Sequence, residues 1–167
     1  MKNTAVYPGS FDPITTGHLD IIQRVSRIFD EVIVLVAESD RKDHMFSGSE
    51  RVDQIRLALK HELPEVLNVR VDKHVGLTTE YMAKAKANVI VRGLRAVADF
   101  EYEGTLANMN KHLNPDIETF MIFAKPEYYY ISSRGVKEIA KNGGPLNGLV
   151  PEPLIPAIKK SILDKLK

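Results

Sequence analysis

Ser10 and His18 are the residues of this 167-residue chain whose types and setting best suit chemistry. They lie in Tyr7-Pro8-Gly9-Ser10-Phe11-Asp12-Pro13-Ile14-Thr15-Thr16-Gly17-His18, a stretch whose prolines and glycines force a turn-rich path and let a ligand approach the backbone closely. Before it, Ala5, Val6 and Tyr7 read as a strand; after it, Leu19, Ile22, Val25 and Ile28 or Phe29 read as one face of a helix. That helix is expected to open near Gly17 and His18, where free N–H groups and the positive dipole end favour an anion such as phosphate. The same helix end disfavours an imidazolium, so His18 is expected to be neutral in the empty site and to donate a ring N–H to a phosphate oxygen. Asp12 is expected to hold the turn, because a carboxylate beside a polyphosphate would repel it.

Other candidates are basic or carry hydroxyls. Arg92 closes the apolar run Asn88-Val89-Ile90-Val91, where burial of a guanidinium calls for a planar anion, and Gly93-Leu94-Arg95 follows. The alternative is two surface arginines paired with Asp99 and with Glu101 or Glu103. Glu103 itself faces either solvent or a ribose or adenine. Tyr128-Tyr129-Tyr130-Ile131-Ser132-Ser133 runs into a helix start, where small hydroxyl residues cap and leave amides for a second phosphate contact. Lys42, with Arg41 as its local rival, sits in the mixed-charge loop Ser39 to His44. His44, His61, His74 and His112 have no metal-ligand spacing and read as surface residues, so no protein metal site is expected. Neither a P-loop nor a G-x-G-x-x-G fingerprint occurs, which counts against a kinase or a dinucleotide-linked dehydrogenase.

These residues need elements to position them. Further strands are expected at Glu31–Ala37, Val66–Val71, Asn88–Arg92 (broken at Gly93) and Ile117–Phe123. Helices are expected from the Ser47-x-x-Glu50 capping box to about Leu63, from a Thr78 or Thr79 cap through Ala87, from about Val97 with Phe100, Leu106, Met109 and Leu113 buried, over Ser133–Lys141, and at the C-terminus with Ile158, Ile162 and Leu166 on one face. The alternation predicts an α/β fold: one domain over residues 1–167, with a Rossmann-like, five-stranded, mainly parallel sheet covered by helices on both faces. Ligands of such sheets sit beyond the strands' carboxyl ends, and the polar candidates follow strands as that requires. Hydrophobic content of 44% and charged content of 27% are those of a globular protein, and a net charge of +1 argues against a nucleic-acid partner. The absence of cysteine fits a reducing compartment such as the cytoplasm, and no signal peptide or membrane span is read.

Gly9-Ser10-Phe11-Asp12-Pro13 with Thr15-x-Gly17-His18 resembles the signature of the T/H-x-G-H nucleotidyltransferases, relatives of class I aminoacyl-tRNA synthetases. From Tyr7 to about Pro151, and most specifically over Arg92-Gly-Leu-Arg-Ala-Val-Ala-Asp-Phe-Glu-Tyr-Glu103, the chain resembles the bacterial phosphopantetheine adenylyltransferases. The resemblance implies transfer of an adenylyl group from ATP to 4′-phosphopantetheine in coenzyme A biosynthesis. It implies that Ser10 contacts both substrates, that His18 stabilises the transition state, and that Lys42, Arg92 and Thr78 bind the acceptor. It assigns Ser10, Phe11, His18, the segment Gly93-Leu94-Arg95, Glu103 and the run Tyr128, Tyr129, Tyr130, Ile131, Ser132, Ser133, Arg134 to ATP. It further implies Mg²⁺ carried mainly by ATP and a homohexamer. The chain departs from the family where Arg134 replaces a third hydroxyl residue and across His74 to Thr79. Nucleotidyltransfer to nicotinate mononucleotide, cytidylyl transfer to glycerol 3-phosphate, and a non-catalytic nucleotide- or RNA-binding module are the alternatives.

Overall fold

A computed structural model of the chain describes residues 3–38 and 44–165. In chain order the elements are β1 (Thr4–Gly9), α1 (Thr16–Ser26), β2 (Glu31–Glu38), α2 (Gly48–Glu62), β3 (Val69–Val75), α3 (Thr78–Ala85), β4 (Val89–Leu94), α4 (Val97–Leu113), β5 (Glu118–Phe123), α5 (Ser133–Lys141) and α6 (Ile155–Lys165). The strands form one sheet in the order β3-β2-β1-β4-β5, and every neighbouring pair is parallel. Side chains alternate across the sheet. On one face Tyr7, Val34, Val36 and Val91 pack with Ile22 of α1, Ile55 of α2, Val136 of α5 and Ile158 of α6. On the other, Val6, Ile33, Leu35 and Ile90 pack with Tyr81 and Met82 of α3.

Strand order reverses between β1 and β4, and there the ladder stops early. Pairing ends at Val6 with Ile90, although β1 continues to Gly9 and β4 to Leu94. Pro8 brings no N–H to extend it. The carboxyl ends of the two central strands part, opening a crevice at the place where α/β sheets bind ligands.

Several elements differ from the sequence reading. The third strand runs from Val69, not Val66, because the Val66 N–H closes a turn onto the Leu63 carbonyl and Val69 is the residue in register with Val32. Neither Thr78 nor Thr79 caps α3; the capping position is Leu77, and the helix ends at Lys86 in left-handed conformation (φ 53°) rather than at Ala87. Gly93 does not break β4: it stays in register with Ile122. The Ser47–Glu50 capping box forms in both directions. Phe29, not Ile28, completes the α1 apolar face, since the helix has ended at Ser26 and Ile28 is exposed. Ile158 and Ile162 are buried as expected, while Leu166 lies outside the described residues.

The largest departure is α4. Phe100, Met109 and Leu113 are 54%, 57% and 53% exposed, and the one buried side chain of the helix is Glu103. Apolar composition had suggested a helix sealed into the core. Instead α4 rests on β4 and β5 with Glu103 turned inward, because a buried arginine there needs an anion more than the sheet needs another hydrocarbon.

Candidate active site

The β1–α1 turn is held from three sides. The Asp12 carboxylate, 1% exposed, accepts the backbone N–H groups of Met45 (2.8 Å) and Phe46 (3.0 Å) and the Lys137 ammonium (3.1 Å). The Ser133 hydroxyl donates to the Pro13 carbonyl, and Arg51 donates to the Ser10 carbonyl. Phe11 sits at φ 47°, sparsely populated for a residue with a side chain, and its buried ring meets Tyr7 and His18 edge-on at 5.4 and 5.1 Å. Asp12 thus holds the turn, as read from sequence. Burial raises its pKa, but the Met45, Lys137 and Phe46 contacts outweigh that and hold it below the usual carboxylate value. Its contribution to stability is therefore present above the unfolded pKa and lost as pH falls through the folded one. Asp12→Asn is expected to cost about 2 kcal/mol near neutrality, and the difference from the parent should shrink in urea unfolding as pH is lowered from about 5 to 2.

Two clefts open on either side of this turn. The first, of about 320 Å³, is walled by the β1–α1 turn with His18, by Gly93 and Arg95 at the end of β4, and by Tyr128 and Ser132 to Arg134 at the start of α5. The second, of about 310 Å³, lies between Thr78, His44 and the α4 residues Leu106 and Asn110. Pro8, Gly9, Ser10 and Arg92 line both. Two ligands seated in these clefts would meet at Ser10 and Arg92.

His18 enters the site through the start of α1. The helix begins one residue earlier than expected, with Thr15 as its cap. His18 occupies the third helical position, where a capping box usually has Glu or Gln: the Thr15 hydroxyl accepts the His18 N–H, and His18 Nδ1 accepts the Thr15 N–H at 3.0 Å. An Nδ1 that accepts must be unprotonated, so the ring proton is on Nε2. Burial, then the charges of Arg95 and Arg92, push the His18 pKa down to about 4. Neutral His18 is thus a fixed N–H donor through the physiological range, and its ionisation favours the unfolded chain as pH falls below about 6.5. Nuclear magnetic resonance is expected to show His18 ring signals in the free protein that do not titrate between about pH 8 and 5. A midpoint near 6.5 would contradict the assignment.

Arg92 is half-buried and already has an anion. Its Nε and Nη2 donate to the two oxygens of Glu103 at 2.5 and 2.7 Å, and its Nη1 donates to the Pro8 carbonyl at 2.7 Å, across the gap where β1 and β4 part. This leaves one proton on each terminal nitrogen for a ligand. Glu103 raises the Arg92 pKa against the opposing effect of burial. Glu103 lines neither cleft and acts on the site through Arg92. Arg95 is exposed and pairs with Asp99 at 3.3 Å, while the Asp99 carboxylate also caps the start of α4.

The remaining residues divide. Tyr128, Ile131, Ser132, Ser133, Arg134 and Phe11 line the first cleft and Thr78 the second. Ser132 caps α5 by accepting the Gly135 N–H at 3.0 Å. Leu94 is buried, and Tyr129 and Tyr130 are exposed away from both clefts. Lys42 lies outside the described residues. His44, read as a surface residue, instead lines the second cleft and stands 3.6 Å from Asp12. Sequence reading also missed Arg51 and the role of Thr15, although Thr15-x-x-His18 has the spacing of a capping box and could have been found.

Residues 6–139 match the cytidylyltransferase-like family. The chain is 62% identical to a phosphopantetheine adenylyltransferase of Bdellovibrio bacteriovorus over 97% of this chain and 99% of that one. The chain belongs to the bacterial phosphopantetheine adenylyltransferase family. A second member, from Desulforudis audaxviator, is 53% identical over 90% of each chain. Among solved structures, the Plasmodium falciparum nicotinic acid mononucleotide adenylyltransferase superposes with a TM-score of 0.67 over 99% of this chain and 96% of that one. At 14% identity that likeness is one of fold.

Proposed function

We propose that the chain transfers the adenylyl group of ATP to 4′-phosphopantetheine, giving dephospho-coenzyme A and pyrophosphate in coenzyme A biosynthesis. The observation that carries the reading is the pair of clefts meeting at Ser10 and Arg92, in a chain 62% identical to a named phosphopantetheine adenylyltransferase. ATP takes the first cleft and the acceptor the second. The acceptor's phosphate is an anion near neutral pH, so the nucleophile needs no general base. What the reaction needs is alignment of two anions and compensation of charge on the α-phosphate and the leaving pyrophosphate. His18 Nε2–H and Ser10 serve the α-phosphate; Arg95, Arg134 and the α5 N-terminus serve the departing phosphates; Arg92, Lys42 and Thr78 hold the acceptor.

No carboxylate lines the first cleft, and no group of three potential ligands able to hold a metal occurs among the described residues. Mg²⁺ therefore belongs to ATP in this reading, held by phosphate oxygens and water, where it neutralises phosphate charge. The protein is read as a cytoplasmic homohexamer without nucleic-acid or membrane partners. Support comes from the net charge of +1, which gives no general attraction for polyanions, and from the exposed stripe of Tyr102, Met109 and Leu113 on α4, which suits a contact between copies; among the described residues no helix is long and apolar enough to cross a membrane. Light scattering should give six times the chain mass, and a monomer mass would overturn that part. Mass spectrometry after incubation with ATP, Mg²⁺ and 4′-phosphopantetheine should find dephospho-coenzyme A and pyrophosphate. ADP with a doubly phosphorylated acceptor would overturn the reaction.

A further inference from the structure

We infer that Arg51 is a positioning residue of the adenylyl-transfer site, holding Ser10 in place from behind; the inference rests on the reaction proposed above. Arg51 stands near the start of α2 and is 2% exposed, as deeply buried as residues of the hydrophobic core. Its Nη1 donates to the Ser10 carbonyl at 2.7 Å and its Nε to the Ser47 carbonyl at 3.4 Å. Among the described residues, no carboxylate lies within 4.0 Å of its guanidinium. Arg92, Arg95 and Lys137 differ: Arg92 has Glu103, Arg95 has Asp99 and Lys137 has Asp12.

Burying a guanidinium against carbonyls alone is costly, and a position needing only to be filled is better served by Leu or Met. Its use lies at Ser10, the residue shared by both clefts. Ser10 follows the last residue of β1 and precedes Phe11 with its positive φ, so no strand or helix sets its conformation. A carbonyl oxygen left free in a wall between two phosphate groups would repel both. Arg51 engages that oxygen, fixes the peptide, and sets a permanent positive charge behind the wall, where salt screens it little.

The test compares Arg51→Met, which keeps the apolar stem but loses charge and donors, with Arg51→Lys, which keeps the charge and one reach. Kinetics are run well below the melting temperature, and ATP affinity is measured by calorimetry as a readout independent of turnover. Arg51→Met should raise KM for ATP and for 4′-phosphopantetheine together, each by about 10-fold, and weaken ATP binding alike, with kcat down by about 10-fold. Arg51→Lys should recover most of the loss in KM. A purely structural arginine would lower the melting temperature and leave both KM values and the ATP affinity of the folded enzyme unchanged, which would overturn the inference. Should Arg51→Met not fold, Arg51→Gln, which keeps an amide donor but loses the charge, decides in its place: a rise of about 10-fold in both KM values supports the role, and parental values refute it. A parent that binds ATP but releases no pyrophosphate would count against the reaction, and the ATP affinities would still decide for or against Arg51.

Discussion

His18→Ala is expected to lower kcat by about 100-fold or more while leaving both KM values within a few-fold of the parent, as for loss of one donor to a developing oxyanion. The reason is geometric. Nδ1 is committed to the Thr15 N–H, so the proton on Nε2 is the one the ring presents to the cleft. That same commitment makes His18 a capping residue, and Ala would also remove a cap worth about 1 kcal/mol. His18→Gln separates the two roles, because Gln at this position is a normal capping-box partner. It should unfold like the parent in urea and still lose kcat. Near-parental kcat in either variant would contradict the role of His18.

Arg92→Met is expected to reduce kcat/KM for the acceptor by about 100-fold, the loss of a charge-assisted phosphate contact. It is also expected to destabilise the fold by about 3 kcal/mol, because Glu103 is left buried without its cation. Arg92→Met combined with Glu103→Met replaces the pair by hydrocarbon and should return most of the stability but none of the acceptor affinity. Urea unfolding and acceptor KM, measured on the same three proteins, test both halves. A single variant with parental acceptor KM would show that Arg92 is only the structural partner of Glu103.

Much of this site was legible before the fold was known, because its chemistry is concentrated in short segments. Ser10, His18, Arg95 and the Ser132-Ser133 turn follow strands and Arg92 lies in the second half of β4, and a parallel sheet gathers strand ends on one side. What could not be read was partnership across the chain. Nothing local to Arg51 says that its guanidinium reaches Ser10, and although pairing of the two arginines with Asp99 and with Glu101 or Glu103 was an alternative in the sequence, nothing local to Glu103 says that its pair with Arg92 turns inward instead of lying at the surface. The same limit explains α4: Phe100, Met109 and Leu113 have the composition of a core face, and periodicity cannot say whether the surface that covers such a face belongs to the same chain. The edge strand β3 slipped for a further reason, since its register with β2 brings the polar residues Asp72, Lys73 and His74 into the ladder and leaves Val66 in a turn.

The central claim is that one anion attacks another across Ser10 and Arg92. The most direct measurement is the initial rate of pyrophosphate release from ATP and Mg²⁺ with 4′-phosphopantetheine, with nicotinate mononucleotide and with no acceptor. The account predicts rapid release with 4′-phosphopantetheine alone. Equal release with nicotinate mononucleotide, or silence with every acceptor from a protein that binds ATP, would contradict it.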